Sequence, residues 1–544
     1  MITGYVGLET YSLSQSGSAA RATSLDLLYW DLQLFVLDSV IDDRGRLPLT
    51  LEFARFAAPA ATVFTLVDGA RLLLASELRR IRARESKEHV VVCGSGAVTI
   101  ALVERLRERA QRIVVISSRP DTAWDDHRVL YVSGDARNPA TLRAAGVQRA
   151  AVLYACESDS STNTAIALAA HNLARHGTGN TLSAYAYIPD PDFCAALRAR
   201  RLSLPGWSRL RLDFFNLDEL AARVLLDRHP VLNDRPIVVM GLDSFGSALL
   251  VEIAKRRRLG PPSAHRLPIT VIDAKATQTG AALCRRFEFL SDSCEVDFRD
   301  AGPDDPALTD LLPGGTPQRV FICYADQDLA LKTALTSLRL WCCGPGSLVV
   351  RVEQAATFGQ AFQDVRLLEG IAGALHIFAI NEEAGDPHLI AEDLVETLAR
   401  AIHDRYLFDA VTRNETEHTN PSMTPWTRLP ELLKAANRRQ AEDIGRKLAS
   451  IGCALAPRVE PELAFTYKEY EVERLAVMEH DRWLRELAGH GWSRGPVRDP
   501  VHRRHPDLDS WENLSEVAKE KDRDTVRNLP CVLSDAGFQI VRIT

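Results

Sequence analysis

Short apolar runs, each followed by an amphipathic stretch, recur through the middle of the chain. His89-Val90-Val91-Val92-Cys93 is strand-forming and ends in Gly94-Ser95-Gly96. A helical period follows, with Ile100, Leu102, Val103 and Leu106 on one face and Glu104, Arg105, Arg107 and Glu108 on the other. Ile113–Ile116 and Val129–Val132 are further strand-like runs, and the second leads into Gly134-Asp135-Ala136. Strand, glycine turn, helix, strand predicts a parallel βαβ unit. Leu182–Ile188 and Asn216–Leu226 read as a strand and a helix that close it. The order then repeats. Ile237–Met240 leads into Gly241-Leu242-Asp243-Ser244-Phe245-Gly246, helix Ser247–Arg258 and a strand Ile269–Ile272 ending in Asp273. Further strands are expected at Arg319–Tyr324, Leu348–Val352 and Ala374–Ile380. The predicted fold class is α/β, with two doubly wound parallel-sheet units.

The two ends of the chain follow other rhythms. Leu25–Val40 is apolar and aromatic, but short for a bilayer and interrupted by Asp26, Asp31 and Asp38. Phe53–Ala75 is longer and mostly apolar, with Arg55, Asp68 and Arg71 inside it. Arg79, Arg80, Arg82, Arg84 and Lys87 follow, and positive charge just past an apolar helix marks a cytoplasmic side. Residues 1–88 therefore read as a helical, membrane-proximal segment; the alternative is an amphipathic helix packed on the soluble domains. Toward the other end, Thr412–Thr427 is a polar linker and Leu429–Ile451 has helical spacing up to Gly452. Thr466-Tyr467-Lys468-Glu469 has a capping-box pattern that would start a helix running to about Leu487. An irregular loop with Trp492 and Trp511 follows, then a helix from Ser515 through Pro530 to Gly537, and a strand Phe538–Ile543. The expected divisions are 1–88, 89–230, 231–402, 403–460 and 461–544.

Composition narrows the function classes. A chain of 544 residues exceeds one core. A net charge of −7 gives no general attraction to nucleic acid, and none is expected as a partner. The 10 cysteines form no CxxC pair, which suits buried thiols in a reducing cytosol rather than disulfides or a metal site. No cleavable signal peptide opens the sequence.

The candidate chemistry lies at the glycine turns. A helix N-terminus after such a turn offers unpaired N–H groups and partial positive charge to a phosphate. Gly94 would allow the tight bend, Gly96 the approach of a pyrophosphate, and Ser95 and Ala97 would supply amides. Thr99 stands at the third fingerprint position. The second strand ends in Ser117-Ser118-Arg119, so the carboxylate that would bond a ribose hydroxyl is missing, and Arg119 could meet a phosphate instead. Asp135 and Ala136 follow the third strand. In the second copy Gly241, Gly246 and Asp273 fill the pattern, but Asp243 at the middle position would repel phosphate. Near the C-terminus, Trp483, Trp492 and Trp511 could stack on a base, and Arg494, Arg503, Arg504 and Arg523 could hold phosphates. Glu479-His480 reads as a structural pair. No nucleophile has an activating neighbour, so no catalytic residue is assigned.

Residues 89–175 resemble the RCK, or TrkA-N, domain that gates potassium channels and transporters. The resemblance rests on His89–Gly96, Gly134-Asp135-Ala136-Arg137-Asn138-Pro139-Ala140-Thr141-Leu142, Ala144–Val147, Ala150–Tyr154, and Glu157-Ser158-Asp159 with Asn163. It implies a Rossmann fold binding NAD or an adenine nucleotide, with Ser117 in place of the family's acid. Two such units resemble a tandem arrangement whose paired lobes form a dimer or ring, which implies a homo-oligomer. Residues 461–544 resemble the ryanodine-receptor repeat, or RyR domain, through Glu479-His480, Trp483, Gly491-Trp492, Gly495, Asp499, His505-Pro506, Leu508, Trp511, Leu514, Lys519, Asp522-Arg523, Leu533 and Gly537-Phe538. That implies a small, nucleotide-derived ligand, with Glu479, His480, Trp483, Trp492, Arg494, Trp511 and Arg523 as its contacts. The N-terminal order resembles the end of a two-helix ion channel, but Ile41-Asp42-Asp43-Arg44 stands where a TVGYG-type filter would. The expected protein is a non-enzymatic, membrane-associated sensor with cytoplasmic domains, controlling potassium-like ion flux. The alternatives are a soluble sensor of a nucleotide second messenger and an NAD(P)-dependent oxidoreductase.

Overall fold

In the computed structural model the described residues are 2–14, 23–36, 47–118, 128–174, 181–202, 210–231, 234–259, 265–302, 305, 316–337, 340, 347–354, 375–392, 394–412, 423–459, 465–499 and 501–543, without side chains at 2, 14, 71–79 and 210. Arg119, Asp38 and Ile41-Asp42-Asp43-Arg44 lie outside them. The chain forms two compact units, Met1–Glu85 and Ser86–Thr544.

The first unit is helical: Ile2–Ser14, Ser24–Gln33 with a 3-10 turn Leu34–Val36, and Leu49–Glu85. Thr23 starts the second helix through a capping box; its N–H donates to Asp26 at 2.9 Å and its hydroxyl accepts from the Asp26 amide. Leu8, Leu27, Leu34, Leu51, Ala54 and Ala58 form a small core. The apolar segment expected from Phe53 starts at Leu49 and runs on to Glu85, so the basic cluster continues the same helix. Pro59 lies within it. Leu49–Ala70, 22 residues, is long and apolar enough to cross a bilayer, and Phe53, Phe56, Phe64 and Leu66 are exposed on it.

The second unit is built on two six-stranded sheets. The first contains β1 (Val90–Cys93), β2 (Ile113–Ser117), β3 (Val129–Ser133), β4 (Val152–Ala155), β5 (Leu182–Tyr187) and β6 (Leu210–Phe215), all parallel, in the order β3-β2-β1-β4-β5-β6. The second contains β7 (Ile237–Met240), β8 (Leu267–Asp273), β9 (Cys294–Asp300), β10 (Arg319–Ile322), β11 (Leu348–Val352) and β12 (Leu375–Ala379), and repeats that order from β9 to β12. This is the doubly wound, Rossmann-like topology expected from the glycine turns, present twice. The centre strands are fully buried, β1 and β7 along their whole length, as a sheet covered on both faces requires. One continuous core joins the lobes. Leu217, Leu220 and Ala221 of the helix Leu217–Arg228 share it with Phe245 and Leu249 of the helix Ser244–Leu259.

Several expectations need correction. The edge strands β6 and β9 and the helix Pro191–Leu202 were not anticipated. Leu429–Ile451 is not one helix: Glu431–Glu442 and Ile444–Ser450 meet at Asp443. After Gly452 the chain forms a strand, Cys453–Pro457, antiparallel to Phe538–Arg542, so the linker side pairs with the terminal strand. The capping-box pattern starts no helix at Thr466; the helix Glu469–Gly489 begins after Lys468, whose N–H donates to Glu471 at 2.8 Å. The helix Glu516–Asp535 starts as expected, Ser515 accepting from the Ala518 amide at 3.2 Å. The described cysteines are all free thiols, and Cys531 alone among them is exposed.

Candidate functional site

The first glycine turn links β1 to the helix Ala97–Glu108. Gly94 has φ +143°, and a Cβ there would lie 2.5 Å from the Thr99 hydroxyl and 2.8 Å from the Cys156 carbonyl. Thr99 is fully buried, and its hydroxyl donates to the Cys156 carbonyl at 3.3 Å. A threonine thus makes the close strand–helix packing that a third glycine would otherwise allow. Gly96 sits at the N-cap in extended backbone, and no side chain caps this helix. Ser95 and Gly96 are exposed, and a Cβ on Gly96 would meet nothing within 4 Å. Among the described residues no acceptor is assigned to the amides of Ser95, Gly96 and Ala97. The first turn is thus exposed and uncapped, as an anion-binding helix N-terminus requires.

The register puts the neighbouring strand ends beside it, Cys93 next to Ile116 and Ser117 next to Ser133. Ser117 is buried and Ser118 exposed. Asp135 is exposed and accepts from the Arg137 amide at 2.8 Å and its guanidinium at 2.7 Å. These bonds hold its carboxyl below the ordinary range. Ala136 is buried beneath it. Asp159 caps the helix Ser160–Ala174 through Ser161 and Thr162, and those hydrogen bonds bring it down to about 2. Glu157 is raised, by burial first and then by Asp135. Asn163 is fully buried and clasps the Glu157 amide and carbonyl and the Tyr187 carbonyl, at 2.7 to 2.8 Å. The acidic turn and its asparagine therefore brace the ends of β4 and β5.

The second glycine turn also opens on a glycine of positive φ but has a different interior. Gly241 has φ +92°, and a Cβ there would lie 2.8 Å from the Tyr324 amide. The Leu242 amide donates to Asp273 at 3.0 Å, and Asp243 accepts from Phe245 and Gly246 at 3.1 and 3.2 Å. Gly241, Gly246 and Asp273 are brought together as expected, but the carboxylates occupy the donors. Gly241 and Gly246 are buried, and burial raises the Asp243 carboxyl.

The C-terminal candidates split into a buried charge network and a surface aromatic cluster. Glu479 is buried and accepts from Lys447 and, at 2.7 Å, from Arg482. Burial pushes its carboxyl up, but the two cations outweigh this and hold it at about 2. Lys447 lies on the short helix before the strand pair and carried no sequence signal as its partner. Both nitrogens of the buried His480 ring face acceptors, Asp522 at 3.2 Å and the Asp509 carbonyl at 2.9 Å. Burial works against the charge and Asp522 favours it, and the balance raises His480 above its ordinary value. Trp483 lies 5.6 Å from the His480 ring and packs edge-on to His505 at 5.0 Å; Trp492 lies 6.4 Å from His505 and Trp511 5.8 Å from His480. All three expected tryptophans thus converge, with His505 as an added ring. Arg494 pairs with Asp509 at 2.7 Å but stays 68% exposed. Arg523 lies over Trp511 and is held by Glu473, Glu516 and Glu520, so its charge is already matched. Among the described residues no three His, Cys, Asp or Glu side chains form a group able to hold a metal.

Comparison with known proteins bears on both regions. Residues 90–200 match the TrkA-N domain and residues 465–542 match the RyR domain, so the chain carries both. An uncharacterized protein of Methanothermus fervidus is 31% identical over 108 residues, 18% of this chain and 17% of that protein. The voltage-gated potassium channel Kch of Escherichia coli is 27% identical over 97 residues, 16% of this chain and 22% of Kch. The chain thus spans about a fifth of the length of these relatives. Among solved structures, the GsuK bound to ADP is 14% identical with a TM-score of 0.38, covering 72% of this chain and 93% of that one. The GsuK channel bound to NAD is 12% identical with a TM-score of 0.37, covering 72% and 81%.

Proposed function

We propose that this protein is a ligand-sensing regulator in which the turn Gly94-Ser95-Gly96-Ala97 receives the phosphate of an adenine nucleotide or NAD. The observation that carries this reading is the contrast between the turns: the first is uncapped and exposed, the second filled by its own carboxylates. Ser95, Gly96 and Ala97 supply the donors, Ser117 and Ser118 replace the ribose acid with neutral hydroxyl groups, and Asp135 orders its loop through Arg137. The protein acts as a regulator and not as an enzyme, and it works as a homo-oligomer.

The output we propose is control of potassium-like ion flux at a membrane; the TrkA-N match and the similarity to the potassium channel Kch support it. The helix Leu49–Glu85 is the element that would carry the response, with Leu49–Ala70 facing lipid. Ligand binding would shift the population between settings of the second unit, and the helix would report the shift. The test is calorimetry with ADP and NAD on the full chain, paired with rubidium flux in proteoliposomes. Saturable binding of one nucleotide with a ligand-dependent flux supports the reading; neither binding nor flux overturns it.

The aromatic cluster favours a second reading. Trp483, Trp492 and His505 form a half-exposed stacking surface beside Arg494, suited to a base and a phosphate. In that reading the protein is a soluble sensor of a nucleotide-derived messenger. Full solubility without detergent, with a melting shift caused by a cyclic nucleotide and abolished by Trp483→Ala, would favour it.

A further inference from the structure

A cavity of about 660 Å³ lies inside the second unit, away from the first glycine turn and reaching Ser244 of the second. Its walls come from Pro191–Leu202 and Leu217–Arg228 of the first lobe and from Ser244–Leu259 and Ala276–Arg286 of the second. The helix Leu394–Thr412 and the turn Asp535–Phe538 of the C-terminal module complete them. The volume falls in the range of roughly 300–1,000 Å³ typical of small-molecule sites.

One wall is aromatic. Phe287 and Phe289 meet edge-on at 5.7 Å, and Phe538 joins them. A Cβ on Gly537 would lie 3.1 Å from the Phe287 ring, so the C-terminal module presses directly on the second lobe here. The charged wall is mostly self-matched: Arg198 with Glu219 at 2.7 Å, Arg223 with Glu392 at 2.8 Å, Arg258 with Asp535 at 2.6 Å. Two cations are only partly matched among the described residues, Lys255 by its attraction to Glu219 and Arg400 by its attraction to Asp404. Lys255 has no assigned ion-pair partner. Arg400 reaches Glu392 only at 3.5 Å, and its Nε is buried without a hydrogen-bond partner. Arg286 pairs with Asp192 but leaves its Nε buried without a hydrogen-bond partner, and its guanidinium lies 5.2 Å from the Phe287 ring. A buried donor left without an acceptor costs free energy that a bound anion would recover.

We propose that this cleft is a second ligand site, taking a nucleotide-sized anion whose planar ring lies against Phe287 and Phe289 and whose phosphate is held by Arg400 and Lys255. Four parts of the second unit contribute walls, so an occupant favours the setting of lobes and C-terminal module that closes on it. Its affinity is then coupled reciprocally to whatever else shifts that setting. The site stands independently of the first glycine turn.

The experiment is photolabelling of the full chain with 8-azido-ADP, mapped by peptide mass spectrometry. Adducts are expected on peptides carrying 283–289 and 394–408. They should fall at least tenfold with Lys255→Ala/Arg400→Ala, and be competed by ADP more strongly than by inorganic phosphate or adenosine alone. Lys255→Ala alone, which breaks no assigned pair, should give a partial loss and guards against misfolding of the double variant. In Gly96→Asp the cleft adducts should persist while adducts near the first turn disappear. Labelling confined to the first turn, labelling of the cleft indifferent to Lys255 and Arg400, competition by phosphate as strong as by ADP, or no labelling overturns the proposal.

Discussion

Gly96→Asp places in the first glycine turn the carboxylate that already fills the second. The position tolerates it sterically: backbone φ is −79°, and a Cβ meets no atom within 4 Å. The aspartate would cap the helix Ala97–Glu108 as Asp243 caps the helix Ser244–Leu259. Glycine is itself an acceptable cap, and aspartate in its place adds only roughly a few tenths of a kcal/mol, so the variant should be about as stable as the parent. Phosphate binding pays twice. Two amide donors are withdrawn, at about 1 kcal/mol each. A carboxylate also comes within about 4 Å of the phosphate, a repulsion of about 4 kcal/mol at an effective dielectric of 20, cut to roughly 1–2 kcal/mol by the exposure of Ser95 and Gly96. The sum, about 3–4 kcal/mol, predicts a Kd for the adenine nucleotide raised at least a hundredfold. Calorimetry measures the affinity and differential scanning calorimetry the stability. A variant that melts no lower and binds ADP or NAD as tightly as the parent would refute the assignment of the first turn.

Two further predictions concern buried charge. Lys447→Met leaves the buried Glu479 with Arg482 as its ion-pair partner among the described residues; losing one partner of a buried pair costs about 3–5 kcal/mol, and the remaining Arg482 contact brings the expectation to about 2–3 kcal/mol, read as a fall in the denaturation midpoint of the second unit. Burial raises Asp404, next to Arg400 and Asp535, from 3.8 to about 6. Its folded value exceeds its unfolded one, so its contribution is fully present below about pH 4 and lost as pH rises through about 6. Asp404→Asn should therefore stabilise the protein above pH 7, by no more than roughly 2 kcal/mol, and the difference should vanish near pH 4; a pH-independent difference in urea titrations would contradict this.

What the sequence made legible follows from burial on two sides. The central strands β1, β2 and β7 lie under helices on both faces, so they read as unbroken apolar runs, and the glycine turns after β1 and β7 mark where a helix starts. The edge strands hid for the opposite reason. In β9 Glu295, Asp297, Arg299 and Asp300 interrupt Val296 and Phe298, and in β6 Arg211 and Asp213 interrupt Leu212 and Phe214, so each resembles a polar connection. Cys453–Pro457 was invisible because its partner, Phe538–Arg542, lies some 80 residues away and no turn links them. At the candidate site, residue types and spacing located both bends, but they did not reveal which carboxylate turns inward. Lys447 met Glu479 through tertiary packing alone, and no local pattern announces such a pair.

The fate of the two bends is best explained by what lies against each. Gly241, Leu242, Phe245 and Gly246 of the second bend are buried, and the helix that follows packs into the core shared with Leu217 and Leu220 of the first lobe. A helix N-terminus packed into a core in this way has its amides satisfied largely from within. Asp243 and Asp273 meet that requirement, and burial raises Asp243 as the accompanying cost. The first bend faces outward, so its amides need no internal acceptor, and Gly96 can stay without a side chain. On this account the same fold was divided by location: the enclosed copy gives up anion binding to hold the lobes together, while the exposed copy keeps its donors for a guest. Replacing both carboxylates, Asp243→Ala with Asp273→Ala, should then loosen the lobe interface and lower stability without creating nucleotide affinity at the second turn. Affinity gained there, with stability kept, would show that the carboxylates and not the enclosure exclude the ligand.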